Sequence, residues 1–235
     1  MNDRGHIASA FDRDLEGIQA LIMKMGGLVE EQITSAVQSL EERDVERAER
    51  VRERDKHIDQ LEDDVNTEAA RVIALRAPTA MDLRVVLSVI KISSNLERIG
   101  DYSKNIAKRT GILVQMDPMG SSAGAIRRMA KTVNLMLKDA LDAYVQHDVE
   151  LALAVRDRDV DVDQMYNALF REFITHMMED PRNITACMHL HFIAKNIERM
   201  GDHVTSIAEQ VIYLVTGEMP DEERTKKDST SIVAE

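Results

Sequence analysis

The sequence predicts an all-α protein built as two tandem antiparallel three-helix bundles related by internal duplication, and three observations carry that prediction. The string NLERIGDYSKNIA from Asn95 returns as NIERMGDHVTSIA from Asn196, with seven of thirteen positions identical. Apolar residues recur at helical spacing along every long segment. Only 10 Gly and 4 Pro are available for turns, and the interior must be filled by aliphatics and 14 Met in the absence of Trp. Unbranched Met suits helix–helix packing, and so little turn chemistry argues against a β fold.

Six helices are expected in order. The first runs from about Ala8 to Leu40 with Leu15, Ile18, Ile22, Met25 and Val29 on one stripe, and Gly26–Gly27 marks a weak point where it can bend. Asp44 is placed to cap the second, whose stripe is Val51, Ile58, Leu61, Val65 and Val72. Pro78 and Thr79 open the third, with Asp82 in a capping-box-like position and Ile92, Leu96, Ile99, Ser103 and Ile106 facing the core. The breaker cluster MDPMGSSAG at 116–124 divides the chain into a first unit, 1–116, and a second, 117–217. The fourth helix then spans about Ala125 to His147, and Asp148 caps a fifth that ends near Asp180. Pro181 stands in the first turn of a sixth that fades near Val215. The tail, 218–235, is charged and poor in large apolar residues, a composition expected of a disordered segment.

The duplication covers the second helices too, since DKHIDQLE from Asp55 aligns with DVDVDQMY from Asp159. That offset is 104 residues against 101 for the third helices, so the connections differ by three residues.

A formal charge of −12 excludes a sequence-independent grip on nucleic acid, which requires Lys and Arg to neutralise phosphates, and favours cations or basic protein surfaces as partners. The lone Cys187 cannot form an internal bridge and reads as a small core residue in a reducing compartment. The amino terminus lacks the apolar stretch of a signal peptide, and no apolar run approaches a membrane span, so a cytoplasmic protein is expected.

The chemistry lies in the acids. Each repeat carries E-R-x-G-D in its third helix, and positions four apart stack on one helical face. Glu97 and Asp101 therefore form one carboxylate pair, Glu198 and Asp202 the other. The second helices add Asp55/Asp59 and Asp159/Asp163 at the same spacing. By helical angle, Glu97 and Asp101 sit about 100–140° from Leu96, flanking the apolar stripe. Two readings are open. In a chain with 31% charged residues a single D-x-x-x-D is ordinary surface decoration. Two in-register copies, each accepting like-charge repulsion and a mid-helix Gly, point instead to two equivalent anionic sites. Oxygen-only donors suit Mg²⁺, Mn²⁺, Ca²⁺ or iron. Arg98 and Arg199 are placed to brace a carboxylate, and Asn105 extends the first acidic row, with Ser206 as its counterpart.

Sharper motifs fail. The alternating acids from Asp157 to Asp163 lack the Gly and terminal Glu of a calcium loop, having Val162 and Ala168 there. No E-x-x-H string supports a di-iron oxidase. His189 and His191, two apart on a helix, point to different sides. His203, beside Asp202, is the one histidine next to a motif. No nucleophile–base set appears, so no enzyme is expected; the alternative is a metal-dependent phosphatase or hydrolase using the same carboxylates as Lewis-acid ligands.

A duplicated three-helix unit with E-R-(I/M)-G-D in the third helix of each half resembles the PhoU family of bacterial phosphate-signalling regulators, over residues 5–216. The resemblance implies metal clusters (Mg, Mn, Fe or Zn) held by Asp55, Asp59, Glu97 and Asp101 and by Asp159, Asp163, Glu198 and Asp202. It also implies a non-enzymatic adaptor between the ATPase of the phosphate ABC transporter and a membrane-bound sensor histidine kinase, repressing phosphate-starvation genes when phosphate is plentiful. Such an adaptor reaches the membrane only through its partners. A homodimer is plausible for helices this long and amphipathic, although no heptad seam marks an interface.

Overall fold

The computed structural model describes residues 3–76, 78, 80–119 and 122–220, and among these it is helical, with no strand. The long helices are α1 (Asp3–Glu42), α2 (Val45–Arg76), α3 (Ala80–Leu113), α4 (Ser122–Gln146), α5 (Val149–Asp157), α6 (Asp159–Glu179) and α7 (Ile184–Thr216); a short 3₁₀ turn, Pro181–Asn183, precedes α7. Helices α1, α2 and α3 pack as one antiparallel bundle, and α4, the α5–α6 pair and α7 as the second.

The expected stripes are the core. Ile18, Ile22, Met25 and Val29 of α1, Val51, Ile58, Leu61, Val65 and Val72 of α2, and Ile92, Leu96, Ile99, Ser103 and Ile106 of α3 are all buried. Leu15 is partly buried against them. Helix α1 starts at Asp3, five residues before the expected Ala8, because its polar first turns are compatible with a helix but add nothing to the apolar pattern. It runs unbroken through Gly26–Gly27. Gly26 is a contact point: a Cβ there would lie 2.4 Å from Leu141 Cδ1 of α4.

Both halves turn the same corner after their first helix. Arg43 and His147 adopt positive φ (57° and 53°), and the next residue caps the following helix. Asp44 Oδ1 accepts the Arg47 amide at 2.9 Å and Asp148 Oδ1 the Leu151 amide at 3.0 Å, as the sequence predicts. That amide and the neighbouring arginines hold the Asp44 carboxyl below its ordinary range.

The expected fifth helix is two. Its α5 segment stops at Asp157 and α6 starts at Asp159, with Arg158 between them at φ −73°, ψ −11°. Backbone so close to helical leaves the apolar period intact across the junction, so the pattern does not register the break. Thr79 and residues 221–235 of the tail lie outside the described residues.

The two bundles meet along α1–α4 and α3–α7, and one continuous apolar cluster draws on both halves. At the α3–α7 crossing Tyr102 lies against His203, ring centroids 5.7 Å apart. These two residues occupy the same position in the two copies of the motif.

Candidate metal-binding faces

Each acidic face forms where the motif glycine lets two helices approach. A Cβ on Gly100 would meet Ile58 Cδ1 at 3.1 Å and Asp55 Oδ1 at 3.5 Å. One on Gly201 would meet Asp159 Oδ1 at 3.1 Å and Val162 Cγ1 at 3.4 Å. The mid-helix glycine, costly as helix propensity, is what brings the α2 and α6 aspartates against the E-R-x-G-D helix.

On the first face Asp55 is buried, with 1% of its surface exposed. Its Oδ1 accepts from Gln32 Nε2 at 3.0 Å, and its Oδ2 faces Lys104 Nζ at 2.5 Å. Lys104 also lies 3.6 Å from Asp101 Oδ1. Burial, and then the adjacent Asp101 charge, push the Glu97 carboxyl up to about 7. Asp59 lies on the exposed rim; partial burial and then Asp55 raise its carboxyl, with Lys104 opposing and Asp101 and Asp63 adding to the rise. Arg98 reaches Glu97 at 3.8 Å and Asp101 at 3.9 Å, long single contacts in place of a bidentate brace. Asn105 is exposed, and the side chain that reaches back along the row is its neighbour Lys104.

The second face is more enclosed. Asp159, Asp163 and Glu198 are buried and Asp202 is half-buried. Burial raises the Glu198 carboxyl; Lys195, 3.0 Å from Glu198 Oε2, opposes the shift, and the Asp202 and Asp163 charges add to it. Ser206 Oγ donates to its own helix at the Asp202 carbonyl, and Arg199 is exposed. The two faces are thus not copies: Lys104 follows the first motif, whereas Lys195 precedes the second. Glu62 and Asp63 of the first half have Tyr166 and Asn167 as counterparts in the second.

Four participants escaped the sequence reading. Glu62, whose carboxyl is raised first by its own burial, acts on Glu97, and it stands seven residues after Asp55 on the same helical face. Lys104 and Lys195 each lie three residues from a motif acid, so helical periodicity alone could have placed all three. Gln32 comes from α1, and nothing local in the sequence links it to Asp55.

The donors suit an oxygen-seeking cation, and the burial and then the carboxylate repulsion that raise Glu97 are what such an ion would offset. As arranged, though, no three His, Cys, Asp or Glu side chains among the described residues are gathered closely enough to hold one. In each face a lysine ammonium supplies the positive charge.

The other chemistry-bearing residues have structural partners. His189 Nδ1 lies 3.2 Å from an Arg109 guanidinium nitrogen, and His191 packs among Tyr166, Phe170 and Phe192. His203 Nδ1 is 2.8 Å from Asn95 Oδ1, turned toward the α3–α7 crossing. Cys187 is buried.

Comparison with known proteins gives this arrangement its family. The family model described as the PhoU domain matches twice, over residues 22–110 and 126–211. A Caulobacter vibrioides protein named "Phosphate-specific transport system accessory protein PhoU homolog" is 44% identical over 96% of this chain and 98% of its own length. A Zymomonas mobilis protein of the same name is 48% identical over 94% of both chains. Among solved structures, PhoU from Pseudomonas aeruginosa superposes with a TM-score of 0.85 at 39% identity, covering 88% of this chain and all of that one. The phosphate transport system regulatory protein PhoU from Streptococcus pneumoniae gives 0.83 at 32% identity, over 90% of this chain and 99% of that one. Paired matches in register with the duplicated bundles, and relatives aligned nearly end to end, place the chain in the PhoU family.

Proposed function

We propose that this protein is a cytoplasmic accessory regulator of a phosphate ABC transporter, acting through the transporter ATPase and restraining a membrane-bound sensor histidine kinase when phosphate is plentiful. The observation that carries the reading is the near end-to-end likeness to proteins named as phosphate-specific transport accessory proteins. No described helix is long and apolar enough to cross a membrane, which fits contact with the membrane through partners. A homodimer belongs to the same proposal and is read by sedimentation equilibrium. Deleting the gene should derepress phosphate-starvation genes in rich phosphate and alter phosphate uptake; a deletion strain unchanged in both would overturn the proposal. The hydrolase alternative draws no support from relatives that carry accessory and regulatory names.

In the same proposal the two acidic faces bind divalent or trivalent cations such as Mg, Mn, Fe or Zn. Asp55, Asp59, Glu97 and Asp101 would hold the first and Asp159, Asp163, Glu198 and Asp202 the second, once Lys104 and Lys195 withdraw. A bound cation supplies charge neutralisation. With Glu97 held near 7, loading the first face near neutral pH should release protons, and titration calorimetry in buffers of different ionisation enthalpy reads that release. Metal analysis should show loss from the respective face in Glu97→Ala and Glu198→Ala; equal content in parent and double variant refutes the assignment.

A further inference from the structure

Outside the acidic faces, the first half carries a cleft between α1 and α2 of about 490 Å³, within the range of small-molecule sites. Its floor is apolar, from Leu28 and Val51, and its wall carries Arg47, Arg50, Arg54 and His57 along one side of α2. Such a stripe is conspicuous in a chain of net charge −12.

The duplication shows that the fold does not require it. At the 104-residue offset Val51 corresponds to Val155, and both are buried core residues. Arg47, Arg50 and His57, however, correspond to Leu151, Ala154 and Asp161. Arg54 corresponds to Arg158, which is paired with Asp139, the counterpart of Ser35. The second half therefore folds without the basic stripe, although its corresponding helix breaks at Arg158.

Local acids engage two of its three arginines and hold the third only loosely. Arg47 is paired with Glu42 at 3.1 Å and Asp44 at 3.5 Å, and Arg54 with Glu31. Arg50 approaches Asp44 and Glu46 only at 3.9 Å each, and more than half of its side chain is exposed. Of the residues lining the cleft, three carry full positive charge and Glu31 alone is acidic. Guanidinium forks bind phosphoryl oxygens in pairs, and an apolar floor accepts the uncharged part of a ligand. We propose that this cleft binds a phosphorylated organic anion of nucleotide size, its phosphates on Arg47, Arg50 and Arg54 and its flat portion against Leu28. Gln32 lines the cleft and also donates to Asp55, so the occupant would touch the side chain that orients the first acidic face.

The test is titration calorimetry of the full chain with ATP, pyrophosphate, sulfate and a hexaglutamate peptide at fixed ionic strength. ATP should bind best. The exposed pair Arg50→Ala/Arg54→Ala should weaken ATP at least tenfold while circular dichroism stays unchanged. Arg127→Ala, which removes a similarly exposed arginine from α4, should leave ATP binding within twofold. ATP binding no tighter than sulfate, tighter binding of hexaglutamate than ATP, indifference to the double substitution, or equal loss in Arg127→Ala would each overturn the proposal.

Discussion

Glu97 ties the acidic face to pH. Its carboxyl is raised from 4.5 to about 7, so the folded protein holds a proton there that the unfolded chain releases. The stability this contributes is fully present below about 4.5 and is lost as the pH climbs through about 7. Urea midpoints of chelator-treated protein should therefore fall over that window. Glu97→Gln, which cannot ionise, should flatten the fall and exceed the parent above it; a parallel profile refutes the assignment. Lys104 gives a second expectation. Asp55 Oδ2 is buried and, among the described residues, is paired with the Lys104 ammonium alone, so Lys104→Met should destabilise the protein by about 1–3 kcal/mol. If a cation can replace that ammonium, Mn²⁺ should raise the melting temperature of the variant more than that of the parent. The eight motif acids were legible as two in-register pairs per half. Gln32 was not, because its partner lies 23 residues away on another helix.

Two helix starts were legible in the sequence. Asp44 and Asp148 cap where short polar residues before an apolar period say they should. The positive-φ residues before them went unread: Arg43 is not a residue type that announces a left-handed turn, and His147, of a type enriched there, gives only a weak signal. The pair makes a contrast that can be measured. His147→Gly relieves the left-handed backbone at an exposed side chain, so its denaturation midpoint should hold or rise slightly. Arg43→Gly gains the same relief but loses the guanidinium that donates to the Val114 and Met116 carbonyls at 2.7 and 2.6 Å, and should lower it. Equal shifts for the two variants would show that those bonds add nothing. The break at Arg158 separates the corresponding helices of the two halves: α2 runs on through Arg54, and α5 ends just before Arg158.

The two bundles share one core. The apolar cluster includes Ile106 and Ala107 of α3 together with Ile193, Ile197 and Met200 of α7, and Asn95 reaches across to His203. The intact protein should therefore unfold in a single calorimetric transition. Residues 1–116 expressed alone should melt well below it, because the α4- and α7-facing sides of α1 and α3 would be bared to water. Two separate transitions in the full chain would show that the halves are independent.

Period, caps and the repeated motif were enough to establish an all-α duplicated fold, because each is a local consequence of which residues stand three, four or 101 positions apart. Whether the acids converge was decided by packing: how near Gly100 and Gly201 let the helices come, and which lysine reached each cluster first. Those are distances between segments far apart in the chain, and helical spacing contains no term for them.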